Sequence, residues 1–542
     1  MIERLAYLWP EIILFAATCV VMVVGLSPSA PVRRSCAGIA ALGLVFAGIA
    51  AWLTTPHGAD VVAKSGQTLL PGLALYVKVV VAAVGLLTLL LLTGTIDREE
   101  ENRLERTGSR FDALRSNRAE FYSFFLFSLT GLMLCAGADD LVWLFLALEL
   151  TSLPTYIMVV IGGGTPGGPH RSQEAGVKYF FLGALGAAVF LYGFALIYGG
   201  TGTTNLNRIH EAVVGGGLNS IALTGFILAL LGMCFKIAAV PMHFYTADVY
   251  EGAAAPVSAF LAFVPKTAGF VGILLLAACL GWVWSPGPEF VANSGFSLPE
   301  PVRLLLWVVA ALTMTVGNVL AIWQTSVKRI LAYSSIAHSG YMLVGVIAGP
   351  GDGTFSKSGI SAVLFYIFCY GVMNVGCFAV LACLERRGKD GQPQEIETVD
   401  DLKGLCQTHP VLGWTMAICS LSLLGFPPLL GFLAKVPLFT SAISAGEIPL
   451  VIVLGINSAI AAFYYLRLFG AALLEKPAGK TDVELAPFAS RRLAGVLSAA
   501  GVVLLVLVAG RLMSASREAA AVPGAAHKSA EVPPVPSQAL AR

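Results

Sequence analysis

Hydrophobic and polar positions along this chain alternate in long blocks, not at the period of an amphipathic surface helix. Apolar stretches of about twenty residues recur from end to end, each long enough to cross a hydrocarbon core of roughly 30 Å as a helix. They fall near residues 8–26, 36–54, 73–94, 119–137, 141–161, 175–199, 219–246, 257–283, 302–323, 329–349, 358–384, 410–439, 449–474 and 493–513. The pattern predicts an all-α polytopic membrane protein with about 14 transmembrane helices. The longest polar separators, Asp97–Arg118 and Glu385–Lys403, mix charges of both signs and read as solvated, partly helical loops. The Ala/Pro-rich segment 519–542 reads as a disordered tail.

Basic residues test the count. About 19 lysines and arginines lie in the loops after odd-numbered spans, among them Arg33, Arg34, Lys328, Arg329, Arg386 and Lys403. About three, Lys64, Arg208 and Lys357, lie after even-numbered spans. The positive-inside rule therefore predicts cytoplasmic odd-to-even loops and both termini on the outer, periplasmic side of a bacterial inner membrane. The first run carries Glu3, Arg4 and Glu11 at its start and exceeds the length of a secretory h-region, so it reads as a retained helix.

Composition agrees with this reading and excludes others. The chain is 57% hydrophobic and 12% charged, about half the charged fraction of a soluble domain. Its mean hydropathy is +0.80. A net charge of +2, scattered through short loops without a Lys/Arg tract, argues against a nucleic-acid partner. The ten cysteines include no C-x-x-C and fall mostly in apolar runs, where they read as small buried hydrophobes. No cofactor or metal site is expected in this chain.

Four charges interrupt the apolar runs at depth: Glu149, Lys236, Lys266 and Lys435. Each costs roughly 2.5–3.5 kcal/mol at mid-bilayer on insertion scales, so each must face protein or water. They could be structural ion pairs that lock helices together. One acid against three bases leaves lysines in excess, however, and a proton carrier must be able to hold and release its proton in the working range. His338 in the tenth span, His243 just after Pro241, and Lys178 near the start of the sixth span extend the candidate set. The histidines could instead be satisfied core residues, and Lys178 could snorkel to the surface. Asp248 and Glu251 read as caps of the following span.

Pro241 and the pair Pro427–Pro428 each interrupt a span beside an intramembrane lysine. Interrupted helices at corresponding positions of two halves mark ion paths in transporters built from repeats. KIAAVPMHF at 236–244 is echoed by AKVPLF at 434–439, on spans seven and twelve. Five spans separate them, which fits five-helix units related by inversion.

Five stretches together resemble one family: LALELTSLPTYIMV, AGVKYFFLGALGAAVFLYG, PMHFYTADVYEGAAAPVSAFLAFVPKTAGF, KRILAYSSIAHSGYMLVG and GFPPLLGFLAKVPLF. They are similar to the antiporter-like membrane subunits of proton-pumping NADH:quinone oxidoreductase, respiratory complex I, with the subunit N branch the best fit. The resemblance runs from about residue 10 to 510. It implies two inverted five-helix repeats with discontinuous helices 7 and 12. The segments would be a three-helix region at 1–118, repeats at 119–283 and 302–474, and a last helix at 493–513. It also implies a midplane series of Glu149, Lys178, Lys236, Lys266, His338 and Lys435. FMN, iron–sulfur clusters and quinone would belong to partner subunits, and neighbouring antiporter-like subunits, the lipid bilayer and protons would be this chain's partners. Ala247 and Ala254 stand where the family loop usually has prolines, and the 97–118 insertion is longer than expected. Two other classes remain open: a subunit of a multi-component cation/proton antiporter, and a structural membrane scaffold.

Overall fold

A computed structural model describes residues 7–54, 69–98, 101, 103–104, 111–162, 168–284, 296–387, 393–477 and 483–522. Lys64, Lys389 and Lys480, much of the 97–118 insertion and the tail beyond Val522 lie outside the described residues. The described chain is dominated by helices α1 (Trp9–Gly25), α2 (Cys36–Thr54), α3 (Leu73–Leu92), α4 (Arg118–Ala136), α5 (Leu141–Ile161), α6 (Pro169–Thr201), α7 (Ser220–Lys236) and α8 (Ala255–Leu280). It continues with α9 (Glu300–Ile322), α10 (Val327–Ala348), α11 (Gly359–Cys383), α12 (Pro410–Leu424), α13 (Leu430–Ser444), α14 (Ile448–Leu473), α15 (Ala489–Leu504) and α16 (Ala509–Ala519). Eleven helical stretches among the described residues are long and apolar enough to cross a membrane; α1, α7, α12 and α13 are shorter apolar helices.

Helix starts follow local chemistry. The Asp140 carboxylate accepts from the Val142 amide at 2.8 Å, and Asn219 accepts from the Ala222 amide at 2.8 Å, each satisfying an orphan donor of the first turn. Helix α6 begins at Pro169, before the predicted apolar window, because the polar residues Arg171, Gln173 and Glu174 are helical without being apolar. Every residue of α8 is buried, and α10 and α11 are nearly so. These three helices form the interior, while α2, α6, α14 and α15 show one exposed apolar face.

Helices α6 and α7 pack through glycine. Gly186 and Gly193 on α6 face Gly232 and Gly225 on α7, two pairs each spaced by seven residues. A Cβ built on Gly225 would lie 2.6 Å from the Ile197 amide nitrogen, and one on Gly232 would lie 2.5 Å from that of Phe190. Small residues let two backbones approach where lipid supplies no hydrophobic drive between helices.

The segment 385–403 departs from the expected solvated loop. Strands β3 (Leu384–Arg387) and β4 (Pro393–Glu395) pair antiparallel, and β5 (Val483–Leu485) adds to β3; a separate two-strand pair joins β1 (Val283–Trp284) to β2 (Phe296–Ser297). Glu385 and Glu395 are buried because cationic partners, Arg98 and Lys328, meet them there. Lys328, expected in a loop, lies in the first turn of α10 and is 1% exposed.

A capping box ends this segment. Asp401 accepts from the Thr398 amide and hydroxyl, both at 2.9 Å, and pairs with Arg386. Burial pushes the Asp401 carboxyl up, but the Thr398 hydrogen bonds and Arg386 outweigh it and hold the carboxyl below the usual carboxylate range. A depressed folded-state pKa contributes stability that is present above the unfolded value and is lost as pH falls through the folded one. Protection of residues 393–403 from limited proteolysis is therefore expected to hold from pH 8 to 5 and to decline below about pH 4. Asp401→Ala should lose about 1 kcal/mol of local protection at neutral pH and show little of that acid dependence.

Candidate functional site

Helix α7 stops at Lys236, five residues before Pro241, so the interruption begins at the lysine itself and not at the proline. Its last carbonyls find side-chain donors: Tyr245 donates to the Phe235 carbonyl at 2.8 Å, and Ser339 of α10 donates to that of Ile237 at 2.5 Å. The Thr313 hydroxyl of α9 accepts from the Val240 amide at 2.9 Å. The Lys236 ammonium, 2% exposed, donates to Glu149 at 2.9 Å and to the Ser152 hydroxyl at 2.7 Å. Glu149 is 17% exposed, on the same face of α5 as exposed Leu146 and Leu153.

Lys266 lies near the middle of the enclosed helix α8, directly after Pro265. Its ammonium donates to the Ser335 carbonyl of α10 and sits 5.8 Å from the centroid of the Tyr370 ring. A void of about 10 Å³ separates it from Lys236, lined also by Tyr179, Tyr245 and Tyr250. That is room for about one water, beside several polar partners.

His338 is 1% exposed and held at both ring nitrogens by phenols. Nδ1 is 2.6 Å from the Tyr366 hydroxyl and Nε2 is 2.8 Å from that of Tyr465. The Tyr465 hydroxyl also bonds Ser334. The Tyr370 ring packs on one side of the imidazole at 5.0 Å and the Tyr341 ring on another at 5.5 Å.

The Lys435 ammonium lies 5.1 Å from the Tyr341 ring centroid and donates to the Leu424 carbonyl at 2.7 Å. That carbonyl is freed because α12 ends at Leu424 and the chain turns through Gly425 at φ 90°. A cleft of about 440 Å³ opens beside the ammonium, lined by Phe426, Phe432 and Ser458 among others. Among the described residues neither Lys266 nor Lys435 has a carboxylate partner.

Five of the seven candidates thus form one continuous row: Glu149, Lys236, Lys266, His338 and Lys435, with tyrosines filling the gaps. Cation–ring contacts within about 6 Å let such charges sit far from water. Lys178 stands apart at the surface, bonded to Glu174 at 2.7 Å and Asp248 at 3.0 Å. His243 is buried in the turn after α7, its ring 4.6 Å from that of exposed Phe244, and makes no hydrogen bond to another candidate. Asp248 and Glu251 are not simple caps: both pair with Arg329, and Glu251 also pairs with Arg171, because three basic groups converge on the short helix Thr246–Gly252 that carries them. Burial raises the Asp248 carboxyl, but Lys178 and Arg329 together bring it below its ordinary range.

Sequence reasoning passed over Tyr366, Tyr370, Tyr465 and Tyr341, since tyrosine in an apolar run carries no charge to flag it. It also passed over Lys78, buried in α3 and paired with Glu11 of α1 at 2.8 Å, although a lysine in LALYVKVVVAAVG was a visible signal.

The fold and the row define a class: a polytopic helical membrane protein with an enclosed series of ionisable groups. Residues 138–461 match the family described as NADH:quinone oxidoreductase/Mrp antiporter, TM. The chain belongs to this family. It is 37% identical to NADH-quinone oxidoreductase subunit N of Trichlorobacter lovleyi, over 95% of this chain and 97% of that protein. The subunit N of Salinibacter ruber is 36% identical over 87% of this chain and 86% of its own. Among solved structures, a chain of respiratory complex I from Thermus thermophilus is 29% identical, with a TM-score of 0.70 over 93% of this chain and 98% of that one. A chain of the Mrp complex from Dietzia sp. shares the fold, with a TM-score of 0.73 at 19% identity over 96% of this chain and 97% of that one.

Proposed function

We propose that this chain is the antiporter-like subunit N of the membrane arm of a proton-translocating NADH:quinone oxidoreductase. It moves protons from the cytoplasm to the outside, driven by quinone reduction in partner subunits that hold FMN, iron–sulfur clusters and quinone. The observation that carries the proposal is the row itself: Lys236 paired with Glu149, then Lys266, His338 and Lys435 without carboxylates, linked through hydroxyls and one small void. Structural ion pairs alone would not leave two lysines and a histidine buried without acids. Lys178 feeds the row from the cytoplasmic side, and His243 is its least supported member.

In this reading the chain has fourteen spans, with α12 and α13 together forming the twelfth and α7 the first half of a discontinuous seventh. Segments 119–283 and 302–474 are two inverted five-helix repeats, and segment 1–118 precedes them. The span at 493–513 and the tail 519–542 follow. Both termini lie outside a bacterial inner membrane. The similarity to subunits N over nearly the whole chain supports the redox-driven reading above an antiporter without redox chemistry.

The test is NADH-driven proton pumping in vesicles holding the assembled complex, with quinone reduction followed alongside. Tyr465→Phe removes one hydroxyl from His338 and keeps the ring volume. It is expected to assemble, reduce quinone and move protons through the row up to about tenfold more slowly, the scale of one lost hydrogen bond, which lowers the protons pumped per NADH. Unchanged pumping removes Tyr465 from the pathway. A gradient that requires sodium and forms without NADH replaces the proposal with the antiporter.

A further inference from the structure

Glu395 does work at a distance from its own strand. Its carboxylate accepts the Ala255 amide through both oxygens, at 3.0 and 2.9 Å, and so caps the first turn of α8. The same carboxylate holds the Lys328 ammonium of α10 at 2.6 Å, both side chains nearly enclosed at 6% and 2% exposure. Lys328 in turn donates to the Ala253 carbonyl at 2.9 Å, one residue before the helix α8 cap. The strand is fixed in place beyond Glu395: the Val327 amide donates to the Glu397 carbonyl at 2.9 Å, and the Val399 amide to that of Thr325 at 3.1 Å. One buried acid thereby joins the start of the helix that carries Lys266 to the start of the helix that carries His338.

The two helices meet again about three turns down α8 and two turns down α10, where Lys266 donates to the Ser335 carbonyl. Two helices tied at one end and bonded in the middle have a fixed axial register. Losing the tie lets α8 slide against α10, and Lys266 then no longer addresses Ser335 or the Tyr370 ring.

We infer that Glu395 is a positioning residue that sets the register of α8 against α10, and with it the place of Lys266 opposite His338. The inference rests on the proposed proton pathway for its functional readout, and on geometry alone for its structural one.

Three variants in the assembled complex test it. Glu395→Gln keeps an acceptor for the Ala255 amide but leaves Lys328 without a charge partner; Glu395→Ala removes both; Glu395→Gln with Lys328→Met keeps the cap and removes both charges. Hydrogen–deuterium exchange of the peptide spanning residues 250–262 reads the cap directly. Protons pumped per NADH oxidised read the register, independently of how much complex assembles.

Glu395→Ala is expected to speed exchange at the α8 start by about tenfold, as for a lost cap hydrogen bond, and to lower the pumping ratio severalfold. Glu395→Gln is expected to lower the ratio, and the double variant to leave it low, because the cap and charge balance are kept while the bond from the α8 start to α10 is gone. Wild-type exchange in Glu395→Ala overturns the inference. So does a double variant that pumps as well as the unsubstituted complex, which would reduce the effect of Glu395→Gln to an unpaired buried charge. If Lys236→Ala pumps normally while Glu395→Ala still speeds exchange, the pathway has failed and the tie stands.

Discussion

Complex carrying Lys236→Ala is expected to assemble at reduced yield, and each complex formed to reduce quinone while moving protons through this row at least about tenfold more slowly, since the group removed is asked to do acid–base work worth that much or more. The Lys236 ammonium has a charged partner in Glu149 and a neutral one in Ser152, and alanine reaches neither. It leaves Glu149 at 17% exposure without its cation, and breaking one side of a buried pair costs about 3–5 kcal/mol where burial is complete. Part of the lost yield will therefore be stability, and the comparison that separates the two is Glu149→Gln with Lys236→Met. Both charges are then gone, so assembly should recover relative to Lys236→Ala and pumping should not. A scaffold would behave in the opposite way: yield would fall, and each complex that formed would pump normally. Normal yield together with normal pumping in Lys236→Ala removes that lysine from the pathway.

Gly232→Leu should be the most damaging substitution for the fold, leaving about a tenth or less of the normal amount of assembled subunit. A Cβ there would sit 2.5 Å from the Phe190 amide nitrogen and 2.9 Å from the Gly186 carbonyl oxygen. The obstacle is backbone, which no rotamer change can move. Restoring ordinary contact means separating α6 from α7 by roughly 1 Å, which forfeits a large part of the dispersion energy along the seam. Lys236 lies one turn further along α7, so any subunit that survives carries its ammonium displaced from Glu149. Gly199→Leu is the control: it lies on α6, the helix that α7 packs against, and a Cβ there meets nothing within 4 Å. Its yield, measured by membrane immunoblot beside Gly232→Leu, should equal that of the unsubstituted chain. Equal yields for both would show that the seam tolerates side chains.

The two variants probe parts of the molecule that differ in how plainly the chain displays them. Lys236, Lys266 and Lys435 could be found because a charge within twenty apolar residues contradicts its surroundings, and burial then has to be explained. His338 could be found for the same reason, but its phenols could not. Tyr366 and Tyr465 become polar only through the direction of one hydroxyl, and direction depends on how α10, α11 and α14 cross. The α6–α7 seam was hidden because glycine is common in membrane helices, and its seven-residue spacing acquires meaning only when two helices are laid together. Segment 385–403 misled for a different reason. Its mixed charges suit a solvated loop, and nothing local shows that Glu395 finds an amide on α8 and an ammonium on α10. Lys178 reads as intramembrane from its apolar block, whereas the first turns of α6 place it at the surface beside Glu174 and Asp248.

The pair of phenols on His338 carries a further consequence for timing. A neutral imidazole bears its proton on one nitrogen and accepts at the other. A proton taken up beside Tyr366 and given up beside Tyr465 leaves the ring in the opposite tautomer, with the hydroxyls turned the other way. A second proton arriving from the same side then meets a donor instead of an acceptor. The site must turn over and reset before it can serve again, and the packed rings of Tyr370 and Tyr341 stand against that rotation. On the proposed pathway, a site built this way would pass one charge per reset of the imidazole and its two hydroxyls.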